Sequence, residues 1–312
     1  MLEHVRTRRF PITACAVALV AYPGYAPSDL GAQELLSASD VVALEAPPPA
    51  HVVPYGEEPL QFGHLRLPEG PGPHPVVAFI HGGCWLSDYT IGHVGSLEQG
   101  LADAGYAVWS LEYRRVGDEG GGWPGTFQDI GRGLDHLRVL APTYGLDLNR
   151  VVASGHSAGG HFALWAAARD KIKSDHELHT ATPLPVQGVL GLAPAPDLEA
   201  LHAAGVCGNV IDGLMGGSPE AFPDRYAAAS PMQLAPLSVP QSLVIGSRDR
   251  AWGPIGRSYY ERASEAGDEE VLLVEAEESG HFEMIVPTTS SWSVVLESLQ
   301  RLFARIDRGV DG

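Results

Sequence analysis

Six stretches of nearly unbroken apolar sequence constrain this chain most: "VVAFI" (76–80), "YAVWSLE" (106–112), "RVVASG" (150–155), "VQGVLGLA" (186–193), "SLVIGS" (242–247) and "EVLLVEA" (270–276). They are short, and they lack the polar–apolar alternation of a strand with one wet face. Runs of this kind suit strands of a parallel sheet covered on both faces. Helical patterns separate most of them, at about 93–104, 126–141, 158–169, 255–266 and 290–306. The alternation predicts a three-layer α/β fold, with a mostly parallel central sheet and helices on both faces. "QFGHLRL" (61–67) adds an early strand, and the Pro-rich "APPPAHVVP" (46–54) reads as an extended entry segment. In such sheets, chemistry gathers at the carboxyl ends of the strands.

At one of those ends, Gly155-His156-Ser157-Ala158-Gly159 joins the strand "RVVASG" to the helix "AGGHFALWAAAR" with almost no loop. So sharp a turn needs small residues two before and two after the serine, and both positions are glycine. This is the G-x-S-x-G arrangement that exposes a serine hydroxyl above a sheet. A serine hydroxyl needs a base to become a nucleophile, and the base needs an acid to orient it. His281, in "EESGHFEMI", directly follows the last strand and is the candidate base. His161 lies on the helix after the elbow and reads as packing, and His176 and His179 lie in the polar linker "KSDHELHT". Asp249 ends the strand "SLVIGSRDR" and is the candidate acid. Its rivals Asp197 and Asp212 follow no sheet strand so directly, and Glu283 beside the base reads as a salt-bridge residue. Oxyanion donors are expected from the glycine turn "HGGCW" (81–85): the N–H groups of Gly83 and Cys84, together with that of Ala158. Trp85 and Trp123 are candidates to pack an acyl or aryl group, or else belong to the core. The long segment 196–238 between two strands is a candidate lid, and the glycine loop 117–125 should border the site.

Composition and the ends of the chain add boundaries. The residues are 45% hydrophobic and 19% charged, as in a soluble globular protein, and the net charge of −18 argues against nucleic acid or acidic lipid as partners. Residues 1–29 are read as a signal-like or disordered tail, and residues 30–312 as a single domain. Arg6, Arg8 and Arg9 precede the apolar run "ITACAVALVA" (12–21), the layout of an export signal. That run is too short for stable membrane insertion. Export is favoured over a cytoplasmic location, although Pro11 opens the run and cleavage after Ala26 would leave Pro27 next. Removal of the segment would take Cys15 with it and leave Cys84 and Cys207. In an oxidising compartment these two would bridge the oxyanion loop to the lid, and otherwise they are buried free thiols.

The motifs "HGGCW", "SLEYRR", "GHSAGG", "GSRD" and "GHFEMI" together resemble the α/β-hydrolase serine esterases, on the branch with kynurenine formamidases and hormone-sensitive-lipase-like esterases. The resemblance runs from about residue 30 to 306. It implies the α/β-hydrolase fold and a Ser157–His281–Asp249 triad, with no metal and no organic cofactor. It also implies cleavage of a small-molecule ester through an acyl-enzyme. His81-Gly82-Gly83 followed by Trp85 resembles the formamidase form, so arylformamide hydrolysis is the alternative. Cys84 stands where lipase-like members usually carry a third glycine. A non-catalytic binding protein on the same fold is the remaining alternative. Oligomeric state is left open.

Overall fold

Alternate residues of the buried strands serve opposite faces of one sheet, which is why their sequences are apolar throughout. In the strand His74–Ile80, Val76, Ala78 and Ile80 enter one hydrophobic cluster, while Val77 and Phe79 enter another across the sheet. All five side chains are fully buried, and each large one contributes about 1.5–3 kcal/mol of transfer free energy. The computed structural model describes residues 34–268 and 270–310, so the export signal, its cleavage and Cys15 lie outside the described residues. From Leu35 onward the chain forms one compact unit.

The strands are β1 (His51–Pro54), β2 (Phe62–Arg66), β3 (His74–Ile80), β4 (Ala107–Leu111), β5 (Leu146–His156), β6 (Gly188–Leu192), β7 (Gln241–Gly246) and β8 (Val271–Ala276). They form an eight-stranded sheet in the order β1-β2-β4-β3-β5-β6-β7-β8. β1 and β2 are antiparallel to their neighbours, and from β4 to β8 every pairing is parallel. β1 is the departure from the expectation for 46–54, since only the end of the Pro-rich segment pairs. It takes the sheet edge, where Pro54 is tolerated.

The helices are α1 (Ala38–Val42), α2 (Gly95–Asp103), α3 (Gly125–Asp135), α4 (Leu137–Tyr144), α5 (Ala158–Ala166), α6 (Leu198–Ala203), α7 (Val210–Met215), α8 (Pro223–Ala229), α9 (Pro231–Leu234), α10 (Gly253–Glu265) and α11 (Ser291–Val310). α2 and α11 supply the cluster on one face, and α3, α4, α5 and α10 the cluster on the other. Segment 196–238 folds as α6 to α9. It is pinned to α5 by two side chains: the indole of Trp165 donates to the Ala228 carbonyl at 3.0 Å, and His161 Nε2 lies 2.9 Å from the Ala229 carbonyl. No helix among the described residues is long and apolar enough to cross a membrane.

Candidate active site

The elbow after β5 is built by close approach of backbones. A Cβ on Gly155 would lie 2.2 Å from the Gly159 carbonyl oxygen, and one on Gly159 would lie 1.9 Å from that of Ile80, so neither position tolerates a side chain. Between them Ser157 is held at φ 55° and ψ −118°. A non-glycine residue there is strained and persists only where its surroundings fix it. Here the Ser157 N–H donates to the Leu192 carbonyl of β6 at 2.9 Å, and the Ser157 carbonyl accepts from the N–H groups of His161 and Ala195. Ala158 then opens α5, whose first N–H groups and dipole face the same end of the sheet.

His281 and Asp249 come from the ends of β8 and β7. His281 Nδ1 donates to Asp249 Oδ2 at 2.8 Å. The other carboxylate oxygen accepts the N–H groups of Ala251 (3.2 Å) and Trp252 (3.0 Å). Burial alone would raise the Asp249 pKa, but the hydrogen bond and charge of His281, with those two N–H groups, hold it below the usual carboxylate value. Trp252 stacks on His281, with ring centroids 5.2 Å apart and planes inclined by 24°. His156 braces the other side: its ring lies 4.6 Å from that of His281, and its Nε2–H donates to the His281 carbonyl at 2.9 Å. A carbonyl can only accept, so the proton of His156 sits on Nε2. Burial, then the proximity of His281, pushes the His156 pKa well below the ordinary histidine value and keeps the ring neutral.

The glycine turn after β3 passes directly over the elbow, since a Cβ on Gly82 would lie 3.2 Å from that of Ser157. Gly83, Cys84 and Trp85 run consecutively at positive φ (114°, 53° and 56°). Two anchors hold this unusual backbone. Cys84 is disulfide-bonded to Cys207, with Cα atoms 6.1 Å apart. The indole N–H of Trp85 donates to His161 Nδ1 at 3.4 Å. The base of the loop is tied to β4 by buried polar groups. The ring nitrogens of His81 face the Gly82 carbonyl (2.8 Å) and the Glu112 carboxylate (3.0 Å), and the Tyr113 hydroxyl donates to the His81 carbonyl. Glu112 also receives the Ile91 N–H and pairs with Arg115 at 3.0 Å. Burial opposes its charge, but His81 and Arg115 outweigh it and hold the Glu112 carboxyl below its usual range. That places "SLEYRR" as the brace of the glycine turn.

Gly83, Cys84, Ser157, Asp249 and His281 all line one cavity of about 250 Å³ at the carboxyl ends of the strands. The two tryptophans singled out in the sequence do not line it. Trp85 is fully buried against His161, and Trp123 packs on Phe127, His176 and Arg225. Trp252, Phe282 and His93 line it instead, with Ala38, Val41 and Val42 from the arm that carries α1. No residue of segment 196–238 lines it, and the part expected as a lid is tied to the cavity wall by the Cys84–Cys207 link. Among the described residues Glu283 is not paired with a cation: it accepts the N–H groups of Leu36 (2.7 Å) and Gly280 (2.8 Å), joining the arm to the His281 loop. Asp212 pairs with His202 at 2.9 Å, and Asp197 caps α6. His161 is buried with both ring nitrogens bonded, and burial lowers its pKa to about 4. Trp252 was within reach of sequence reasoning, three residues past the candidate acid. The arm and His93 carry no such local signal. No His, Cys, Asp and Glu group able to hold a metal ion occurs among the described residues.

A family model described as BD-FAE matches residues 65–254, well over half of the chain and spanning the glycine turn, the elbow and Asp249. The chain belongs to the BD-FAE family. Curated relatives of this BD-FAE member include esterase LipC of Mycobacterium tuberculosis (strain ATCC 25618 / H37Rv), 27% identical over 275 residues. They also include a probable isoprenylcysteine alpha-carbonyl methylesterase of Oryza sativa subsp. japonica, 28% identical over 182 residues. The alignments cover 82% and 55% of the chain, but only 66% and 43% of those proteins, so the chain spans less than two thirds of each. Among solved structures, esterase B from Lactobacillus rhamnosis superposes with a TM-score of 0.72 at 23% identity, over 86% of this chain and 91% of that one. The Est2 esterase of Thermogutta terrifontis does so with 0.66 at 20%, over 83% and 95%. These likenesses establish the α/β-hydrolase fold.

Proposed function

We propose that this BD-FAE member is a serine hydrolase that cleaves small carboxylic esters through an acyl-enzyme. The observation that carries the reading is the 2.8 Å Asp249–His281 bond on the same cavity that the strained Ser157 lines. Asp249 holds the proton of His281 on Nδ1, which leaves Nε2 free to accept the Ser157 proton as the hydroxyl attacks the ester carbonyl. The tetrahedral oxyanion is received by the N–H groups of Gly83, Cys84 and Ala158. His281 then protonates the leaving alcohol, and water repeats the cycle on the acyl-enzyme. The esterase names of the curated relatives support the reaction class. A cavity of about 250 Å³ lies below the roughly 300–1,000 Å³ usual for drug-sized ligands, which supports small esters.

The arylformamide alternative rests on the resemblance of His81-Gly82-Gly83 followed by Trp85 to the formamidase form; Trp85 is fully buried, so that side chain adds no substrate contact in its favour. The test is a substrate panel: p-nitrophenyl acetate and butyrate should be turned over well, and N-formylkynurenine poorly. The reverse order would replace ester by formamide.

A further inference from the structure

The catalytic cavity has largely apolar walls, including Val41, Val42, Trp252 and Phe282. His93 also lines it, and the acyl-enzyme cycle makes no use of that residue. Its Nδ1 lies 2.6 Å from the Thr90 carbonyl oxygen. A carbonyl only accepts, so Nδ1 carries the proton. Burial first, and then the His81 ring 5.5 Å away, lowers the His93 pKa to about 4, so the ring is neutral at the pH where an ester hydrolase works. A neutral ring protonated on Nδ1 presents a bare lone pair at Nε2. No described residue bonds that atom, and it is not among the polar atoms sealed in the interior.

We propose that His93 is a specificity-determining residue, which selects esters carrying a hydroxyl or an amide N–H within reach of its Nε2. The inference rests on the ester-hydrolase reading and adds the substrate class to it. An acceptor in the wall of a largely apolar cavity is costly to leave unpaired once a ligand has displaced water from it. An ester without a donor displaces water from Nε2 and returns no hydrogen bond. An ester with a donor restores it, and gains binding that its deoxy counterpart lacks.

The experiment compares kcat/KM within matched pairs, using the full chain at pH 8. Methyl butyrate is set against methyl 2- and 3-hydroxybutyrate, which carry the donor on the acyl side. Ethyl butyrate is set against 2-hydroxyethyl butyrate, which carries it on the alcohol side. At least one hydroxylated ester should be preferred by about three- to tenfold, the range of a single neutral hydrogen bond. His93→Phe should bring that ratio to about one, while His93→Gln, which keeps an acceptor oxygen, should retain part of it. Each ratio is taken within one protein sample, so a smaller folded fraction does not change it. Lack of preference for every hydroxylated ester in the unmodified chain overturns the inference, and so does a preference that survives His93→Phe. In both cases turnover of butyrate leaves the hydrolase reading standing. If none of these esters is hydrolysed, that reading fails and this inference fails with it.

Discussion

Asp249→Asn changes one atom of the site, and the backbone decides which way the new amide must face. Asp249 Oδ1 accepts two N–H groups, from Ala251 and Trp252, and Oδ2 faces His281 Nδ1. An amide has one oxygen and one NH2. Turning the NH2 toward Ala251 and Trp252 would set donors against donors, so the oxygen must take that side. The NH2 then points at His281 Nδ1, which has to offer a lone pair. The neutral ring is driven to carry its proton on Nε2, where it cannot take the proton of Ser157. The loss expected for a wrong tautomer is about 10⁴ in kcat, or about 5 kcal/mol of barrier, with little change in KM. Asp249→Ala removes the orienting bond without imposing the wrong tautomer, so it should lose less than Asn. Initial rates on p-nitrophenyl butyrate measure both variants, with thermal melts to show that each is folded. A folded Asn variant within about tenfold of the unmodified chain would refute the reasoning. An Ala variant worse than Asn would refute the tautomer argument in particular.

The supports around the site lead to two further expected outcomes. Breaking the Cys84–Cys207 bridge, which spans 123 residues, by Cys84→Ser with Cys207→Ser should lower unfolding free energy by about 4–5 kcal/mol on loop-closure grounds; an unchanged denaturation midpoint would contradict it. His161 has an ordinary value of 6.5 and a folded value of about 4, so between these pH values the unfolded chain holds a proton that the folded chain does not. Stability from this group is therefore complete above about pH 6.5 and falls by up to about 3 kcal/mol on the way to pH 4; a urea midpoint that stays level between pH 7 and 4.5 would show that His161 is not held neutral by burial.

Much of the fold was legible because its strongest signals are local. The six apolar runs became β3 to β8, since a strand buried on both faces has no polar side to interrupt it. β1 was obscured by Pro54 and by the prolines before the strand, because pairing at a sheet edge depends on the partner strand and not on the segment's own composition. The placement of Ser157, Asp249 and His281 on one cavity was legible for a related reason: each follows a strand end, and strand ends converge. The cavity walls were not. Trp85 and Trp123 were candidates from the sequence and neither lines the cavity, because which side chain faces it depends on loops folding together from distant positions. Ala38 and Val41 show this most clearly, because they reach the site only through an arm that Glu283 holds to the His281 loop. The long insertion was legible as helical, but its relation to the cavity was fixed by the covalent link at Cys207.

The role of Ser157 is tested most directly by mass-spectrometric mapping of a fluorophosphonate adduct, with ester hydrolysis followed in the same sample. The expected result is one adduct, on Ser157, with hydrolysis lost in step with labelling and absent from Ser157→Ala. An adduct on another serine, no adduct at all, or a Ser157→Ala chain that still hydrolyses the ester would contradict the assignment of Ser157 as the nucleophile.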